Sequence, residues 1–195
     1  MKQSALSLFQ QDGRRKYLDQ KERAAFDQSI LKADKDTYLF CKFLRHTGAR
    51  VSEALAITSN NFDLQEEEGR FYALIPTLKK RQSKPVLRRV PLTPSFFKEL
   101  DLVYQLARSN PKKARPLWGF SRTTAFRKVK AQLNSVPSVS LCPRALRHTF
   151  GIQAAEAGIP PQVLQAWMGH EDINTTVIYS QSLGADEYAY ALKMW

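Results

Sequence analysis

The chain has 195 residues, 43% of them hydrophobic, which is long enough for one well-filled core and awkwardly long for two very small ones. Thirty Lys and Arg stand against 18 Asp and Glu, a formal net charge of +12, and that excess points to a polyanionic partner. No apolar run reaches membrane-spanning length and the start, MKQSALSLFQQDGRRKY, lacks a signal-peptide core, so no membrane partner is expected and a cytoplasmic protein with Cys41 and Cys142 reduced is.

Residues 1–16 are polar and end on Arg14, Arg15 and Lys16, which predicts a mobile basic leader. Asp19 with Glu22 forms a capping-box pattern after Leu18, so a helix is expected from there to about Lys32. Residues 36–47, DTYLFCKFLRHT, are apolar on most sides and predict a buried helix that stops at Gly48. Arg50 then opens a short helix that carries Ser52, Glu53, Leu55 and Ala56. From Asn60 to Leu92 the hydrophobic period changes to that of strands. FYALIPT and VLRRVPL are strand-like, the basic stretch LKKRQSKP connects them, and DLQEEEG before them offers a third strand.

Thr93-Pro94 starts a helix expected to reach about Arg108, and SNPKKARP follows as a loop. Ser121 caps a basic helix to about Asn134, with Arg122, Arg127, Lys128 and Lys130 along it, and SVPSVSL is a second loop. Pro143 opens a helix that Gly158 closes, and Pro160-Pro161 opens another that Gly169 closes. Asn174-Thr175-Thr176 begins a short helix, Gly184 breaks it, and ADEYAYALKMW forms an amphipathic tail helix over 183–195. Helices segregated around one small antiparallel sheet predict an α+β fold, mainly helical.

Within this frame, Arg50 and Arg147 each stand near the start of a helix. A guanidinium is always charged, and its fork matches two phosphate oxygens. Two such forks on one phosphodiester would neutralise the charge that builds on a pentacoordinate phosphorus. For an arbitrary Arg, pairing with a surface carboxylate is the more ordinary role. His170, at a helix end after Gly169, has a ring N–H that can donate to a phosphate or shuttle a proton. His148 follows Arg147 directly, so on a helix it points about 100° away, and it reads as a buried, hydrogen-bonded support. Asp and Glu are scarce around these segments, and His46, His148 and His170 lack the spacing of a zinc site, so no metal or other cofactor is expected.

The segments TGARVSEALAI, LRHTF and GHEDINTTVIY carry Arg50, Arg147, His170 and Tyr179 in that order. His170 lies 23 residues after Arg147, and Tyr179 lies 9 after His170. In this combination they resemble the catalytic domain of the tyrosine recombinases, the family of phage and plasmid integrases, over about residues 17–182. The resemblance implies a tyrosine-recombinase-like fold acting on double-stranded DNA, with Tyr179 as nucleophile. It implies a 3′-phosphotyrosyl bond and a free 5′ hydroxyl, so strands are rejoined without ATP. A phenol is mostly protonated at neutral pH, and the nearby Arg and His groups are expected to favour the phenolate.

The resemblance also implies a Lys on a strand-to-strand turn as acid for the leaving 5′ oxygen. Lys79 is favoured, with Lys80 and Lys84 as alternatives. One departure stands out: the family commonly has His three residues before the second Arg, and here that position is Arg144, which binds phosphate but cannot accept a proton. Glu53 is expected to orient Arg50 or cap local backbone groups.

Members of the family commonly carry a helical clamp domain before the catalytic one. Only 49 residues precede Arg50, so no separate N-terminal core-binding domain is expected, and the chain reads as a single-domain member or an excised fragment. The function implied is site-specific recombination. The alternatives are a catalytically weak DNA-binding accessory or regulatory protein that keeps the fold, and relaxation of the topoisomerase IB kind. A monomer in free solution, an oligomer on DNA and association with the nucleoid complete the expectation.

Overall fold

A computed structural model describes residues 8–78, 86–108, 110, 112, 114–136 and 141–181. Its first helix, α1 (Gln20–Ile30), begins with the full capping box: Asp19 accepts from the Glu22 N–H and Glu22 accepts from the Asp19 N–H. Asp34 caps α2 (Lys35–Thr47) by accepting from the Thr37 N–H, a contact of a kind that stabilises by about 1 kcal/mol. Gly48 ends α2 in the left-handed region at φ +62, and a Cβ there would stand 2.6 Å from the Phe150 ring. Both the backbone angle and the close approach therefore require glycine.

After the short α3 (Val51–Leu55) come three antiparallel strands in sequence order: β1 (Phe62–Gln65), β2 (Arg70–Thr77) and β3 (Val86–Leu92). The register pairs Phe62 with Ala73 and Ala73 with Val90. Ala73, Ile75, Val90 and Leu92 face the core. The EEEG part of the expected first strand is instead a 3-10 turn over Glu66–Glu68 followed by Gly69 at φ +62.

Thr93 caps α4 (Pro94–Tyr104), which stops short of Arg108. Gln105 turns left-handed at φ 52, and Asp101 accepts from the Ala107 N–H, so the chain leaves the helix for a 3-10 turn. Then follow α5 (Arg122–Asn134), α6 (Arg144–Glu156), α7 (Pro161–Met168) and α8 (Asn174–Gln181). Trp118 anchors the main core, its ring 5.0 Å from Phe40 and 5.2 Å from Phe43. A second, smaller cluster gathers Leu8, Ile152, Leu164, Met168 and Tyr179 where α6, α7 and α8 meet.

The expectation of a mobile leader to Lys16 needs correction for residues 8–16. Leu8 is buried in the second cluster, Phe9 bridges Arg15, and Arg15 pairs with Asp19 and Glu22. The Leu18 N–H donates to Thr149 Oγ1 on α6 at 2.9 Å. Two apolar anchors thus tie down a polar turn at Gly13, and burial at the anchors outweighs the polarity between them. The tail helix expected over 183–195 lies outside the described residues, as do residues 1–7.

Candidate active site

The short α3 is closed at its start by Glu53. Its carboxylate accepts from the Arg50 N–H at 2.9 Å and from Arg50 Nη1 at 2.7 Å. Arg50 is about half exposed while Glu53 is buried, so a submerged carboxylate holds a guanidinium at the surface. Glu53 thus holds both the side chain and the backbone N–H of Arg50. A second cation binds it: Arg88 Nη2 donates to Glu53 Oε2 at 2.6 Å. Burial by itself would raise the Glu53 carboxyl, but the Arg88 bond and charge, with Arg50, outweigh it and hold the group below its ordinary value.

The sequence motifs do not point to Arg88. Its Nε donates to the Trp167 carbonyl on α7 and its Nη1 to Thr77 Oγ1 at the end of β2. The signal was present in VLRRVPL. Strand alternation puts Arg88 on the same face as Val90 and Leu92, so an Arg on the core face had to find partners there. Arg89 takes the opposite face, over the Tyr72 ring and paired with Asp63. Through its three contacts Arg88 joins the elements that lead to Arg50, to His170 and to the segment just before Lys79.

Arg147 projects from α6 and is 6% exposed. Nη1 donates to the Gly48 carbonyl at 2.7 Å and Nη2 to the Met168 carbonyl at 2.6 Å. These are the C-terminal carbonyls of α2 and α7, groups that a helix leaves without internal partners. They fix the plane of the fork and leave its other N–H donors for an anion. Burial, then the charge of Arg50, lowers the guanidinium to about 9, which still leaves it charged at neutral pH.

Tyr179 lies on α8 and is 2% exposed. Its ring rests on Gly151, where an added Cβ would stand 2.6 Å from Cζ. Its hydroxyl is 3.2 Å from His148 Nδ1. His148 and Gly151 are three residues apart, so they share one face of α6. The tyrosine lies along that face, ring over the glycine and hydroxyl toward the histidine. The 100° between His148 and Arg147 still lets both line the same cleft, because α8 packs against α6 on that flank.

Burial pushes the Tyr179 phenol up to about 12, and Arg147 and Arg50 only partly counter it. Arg147 and Arg50 do favour the phenolate as expected, but desolvation of the charged form is the larger effect and the net shift is upward. The histidines move the other way. Burial first, then the charges of Arg147, Arg50 and Arg88, holds His170 near 3. Burial, then Arg144, Arg147 and Lys16, holds His148 near 4. Both are neutral at pH 7. His170 Nδ1 lies 2.8 Å from Thr176 Oγ1, and its ring is nearly parallel to that of Tyr179.

The cleft has a volume of about 750 Å³ and is lined by Arg50, Arg144, Arg147, His148, His170 and Tyr179. Arg122 of the basic α5 also lines it, so a helix read only as basic turns one guanidinium into the site. Lys79, Lys80 and Lys84, the three candidates for the acid, lie outside the described residues. No described helix is long and apolar enough to cross a membrane.

A resolvase of Escherichia coli is 28% identical over 171 residues, covering 73% of this chain and 65% of that protein. Tyrosine recombinase XerA of Saccharolobus solfataricus is 30% identical over 155 residues, covering 78% of this chain and 49% of that one. The XerH site-specific recombinase, in a pre-cleavage complex with its difH substrate, shares the fold with a TM-score of 0.68 at 23% identity, over 85% of this chain and 50% of that one. The chain thus spans about half to two thirds of the length of such relatives. The phage integrase family matches residues 16–185, a span that contains Arg50, Arg147, His170 and Tyr179, and the chain belongs to that family.

Proposed function

We propose that this chain is the catalytic part of a site-specific recombinase that breaks and rejoins DNA strands through a 3′-phosphotyrosyl intermediate. The observation that carries this reading is the convergence of Arg50, Arg147, His170 and Tyr179, from separate parts of the chain, on one cleft. Arg50 and Arg147 grip the scissile phosphate and offset the charge of the pentacoordinate state. Tyr179 Oη attacks phosphorus, the 5′ oxygen leaves with a proton from a Lys of the 78–85 connection, and the sequence favours Lys79. The net charge of +12 and the basic α5 supply the attraction to duplex DNA. XerH, which shares the fold, was solved bound to its difH substrate. From the sequence, the protein is read as acting on paired DNA sites, monomeric when free and oligomeric on DNA, at the nucleoid.

The test uses nicked duplexes of randomised sequence incubated with the protein and recovered after denaturation. Wild-type protein is expected to retain DNA covalently, and the recovered sequences give the target. Tyr179→Phe is expected to bind duplex as wild type does and to retain none. An adduct that persists in that variant overturns the assignment.

A further inference from the structure

We infer that His148 is the group that takes the proton from the Tyr179 phenol during strand cleavage. This rests on the reading of Tyr179 as nucleophile. The contact is direct, 3.2 Å from Nδ1 to Oη, and packing holds it: the phenol ring lies on Gly151, one turn along the same helix face. A neighbour bulkier than glycine would lift the ring and take the hydroxyl with it.

The phenol proton must go somewhere when Oη bonds to phosphorus. Arg50, Arg144 and Arg147 line the same cleft, but a guanidinium has no lone pair to receive it. His170 engages Thr176 Oγ1 through Nδ1 and lies beside the phenol ring, nearly parallel to it. His148, with its proton on Nε2, presents an Nδ1 lone pair to Oη. The charged and titratable groups facing it are Lys16 from the N-terminal segment, Arg144 and Arg147 on its own helix, His170 after α7 and Tyr179 on α8. The three cations, after burial, keep the imidazole neutral and ready to accept.

The same cations make it too weak a base to ionise the phenol in the free protein, where the phenol stands near 12 and the imidazole near 4. Transfer belongs to the chemical step. A phosphodiester anion between Arg50 and Arg147 offsets their charge and raises the imidazole, while bonding to phosphorus makes Oη acidic. In that step the Oη–P bond forms and the P–O5′ bond breaks. The phenol proton passes to Nδ1, giving an imidazolium, and the 5′ oxygen takes its proton from the acid on the 78–85 connection. Rejoining reverses each transfer, and His148 returns the proton to Oη.

The test measures single-turnover adduct formation on the duplex selected above, between pH 5.5 and 9. His148→Ala is expected to slow it by ~100-fold or more at neutral pH, the usual contribution of a positioned base, with duplex binding kept. His148→Gln, whose amide can still bond the phenol, is expected to be as slow. Trifluorotyrosine at position 179, a phenol acidic enough to ionise by itself, should restore most of the rate in either variant and make that rate follow phenol ionisation. A His148→Gln rate within threefold of wild type overturns the inference and leaves His148 a support. Failure of trifluorotyrosine to relieve the defect overturns it too. Both outcomes leave the Tyr179 reading standing as long as wild-type protein still forms an adduct that Tyr179→Phe does not. Absence of that adduct overturns both.

Discussion

Glu53 and Arg88 form an ion pair at 2.6 Å with side chains only 2% and 5% exposed, 35 residues apart in sequence. The pair is the joint between the sheet and the Arg50 helix. Removing one member of a buried pair leaves the other charge without compensation, which costs about 3–5 kcal/mol. Arg88→Ala is therefore expected to lower stability by that order in urea denaturation. It should also slow adduct formation, because Arg50 loses the anchored carboxylate that holds it. The double variant Arg88→Met, Glu53→Leu should recover much of the stability but little of the rate. Loss of less than about 1 kcal/mol in Arg88→Ala would show that the joint carries no weight.

Gly151→Ala places a methyl group 2.6 Å from Tyr179 Cζ, closer than real contacts allow. The expected result is a folded protein with the tyrosine displaced and cleavage reduced by about 100-fold or more, by analogy with small misplacements of reacting groups. Circular dichroism and duplex binding report the fold, and the covalent adduct reports the displacement. Normal adduct formation in this variant would mean that the ring leaves α6 before attack.

Arg147 is bound to two carbonyls on different helices, a geometry that needs a fork. Arg147→Lys keeps one charge but cannot span both, and is expected to lose about 10²–10³ in cleavage rate, as loss of a transition-state donor does. The measurement is the single-turnover rate on the same nicked duplex. A lysine variant that cleaves normally would show that charge alone suffices.

Acid should weaken the fold before most carboxylates titrate. Burial, with nearby cations, holds His46 and His148 near 4 and His170 near 3 in the folded chain, against an ordinary value of 6.5. Between those values the unfolded chain binds protons that the folded one refuses, so stability is full above about 6.5 and falls as pH drops toward 4. Displacements of that size correspond to at most about 3 kcal/mol each for His46 and His148 and at most about 5 kcal/mol for His170. Glu53, held below its ordinary 4.5, adds a further loss at lower pH still. Urea midpoints at pH 7 and pH 5 should differ clearly. His46→Gln, next to Phe96 and away from the cleft, should flatten the slope between them by about one proton. A midpoint unchanged between those two pH values would contradict the buried neutral histidines.

By itself the sequence determined the local elements and the cast of reactive groups. The Asp19 capping box, Gly48, the Pro143 start and Gly169 were legible because caps and breakers act within a turn or two of their own position. The end of α4 was less so, since Gln105 in a left-handed conformation is a turn that glycine usually makes. Strand alternation in VLRRVPL already implied an inward Arg88, although its partners could not be named.

Partnership between distant residues was decided by the tertiary structure alone. His148 and Tyr179 are 31 residues apart, and only the packing of α8 on α6 over Gly151 brings Nδ1 to Oη. The same packing buries the phenol and raises its pKa further, because loss of solvent outweighs two nearby guanidinium charges. Leu8 and Leu18 tell the same lesson at the other end. Their polar surroundings suggested a loose leader, and apolar burial against α6 and its neighbours, visible only in three dimensions, tied residues 8–16 to the body.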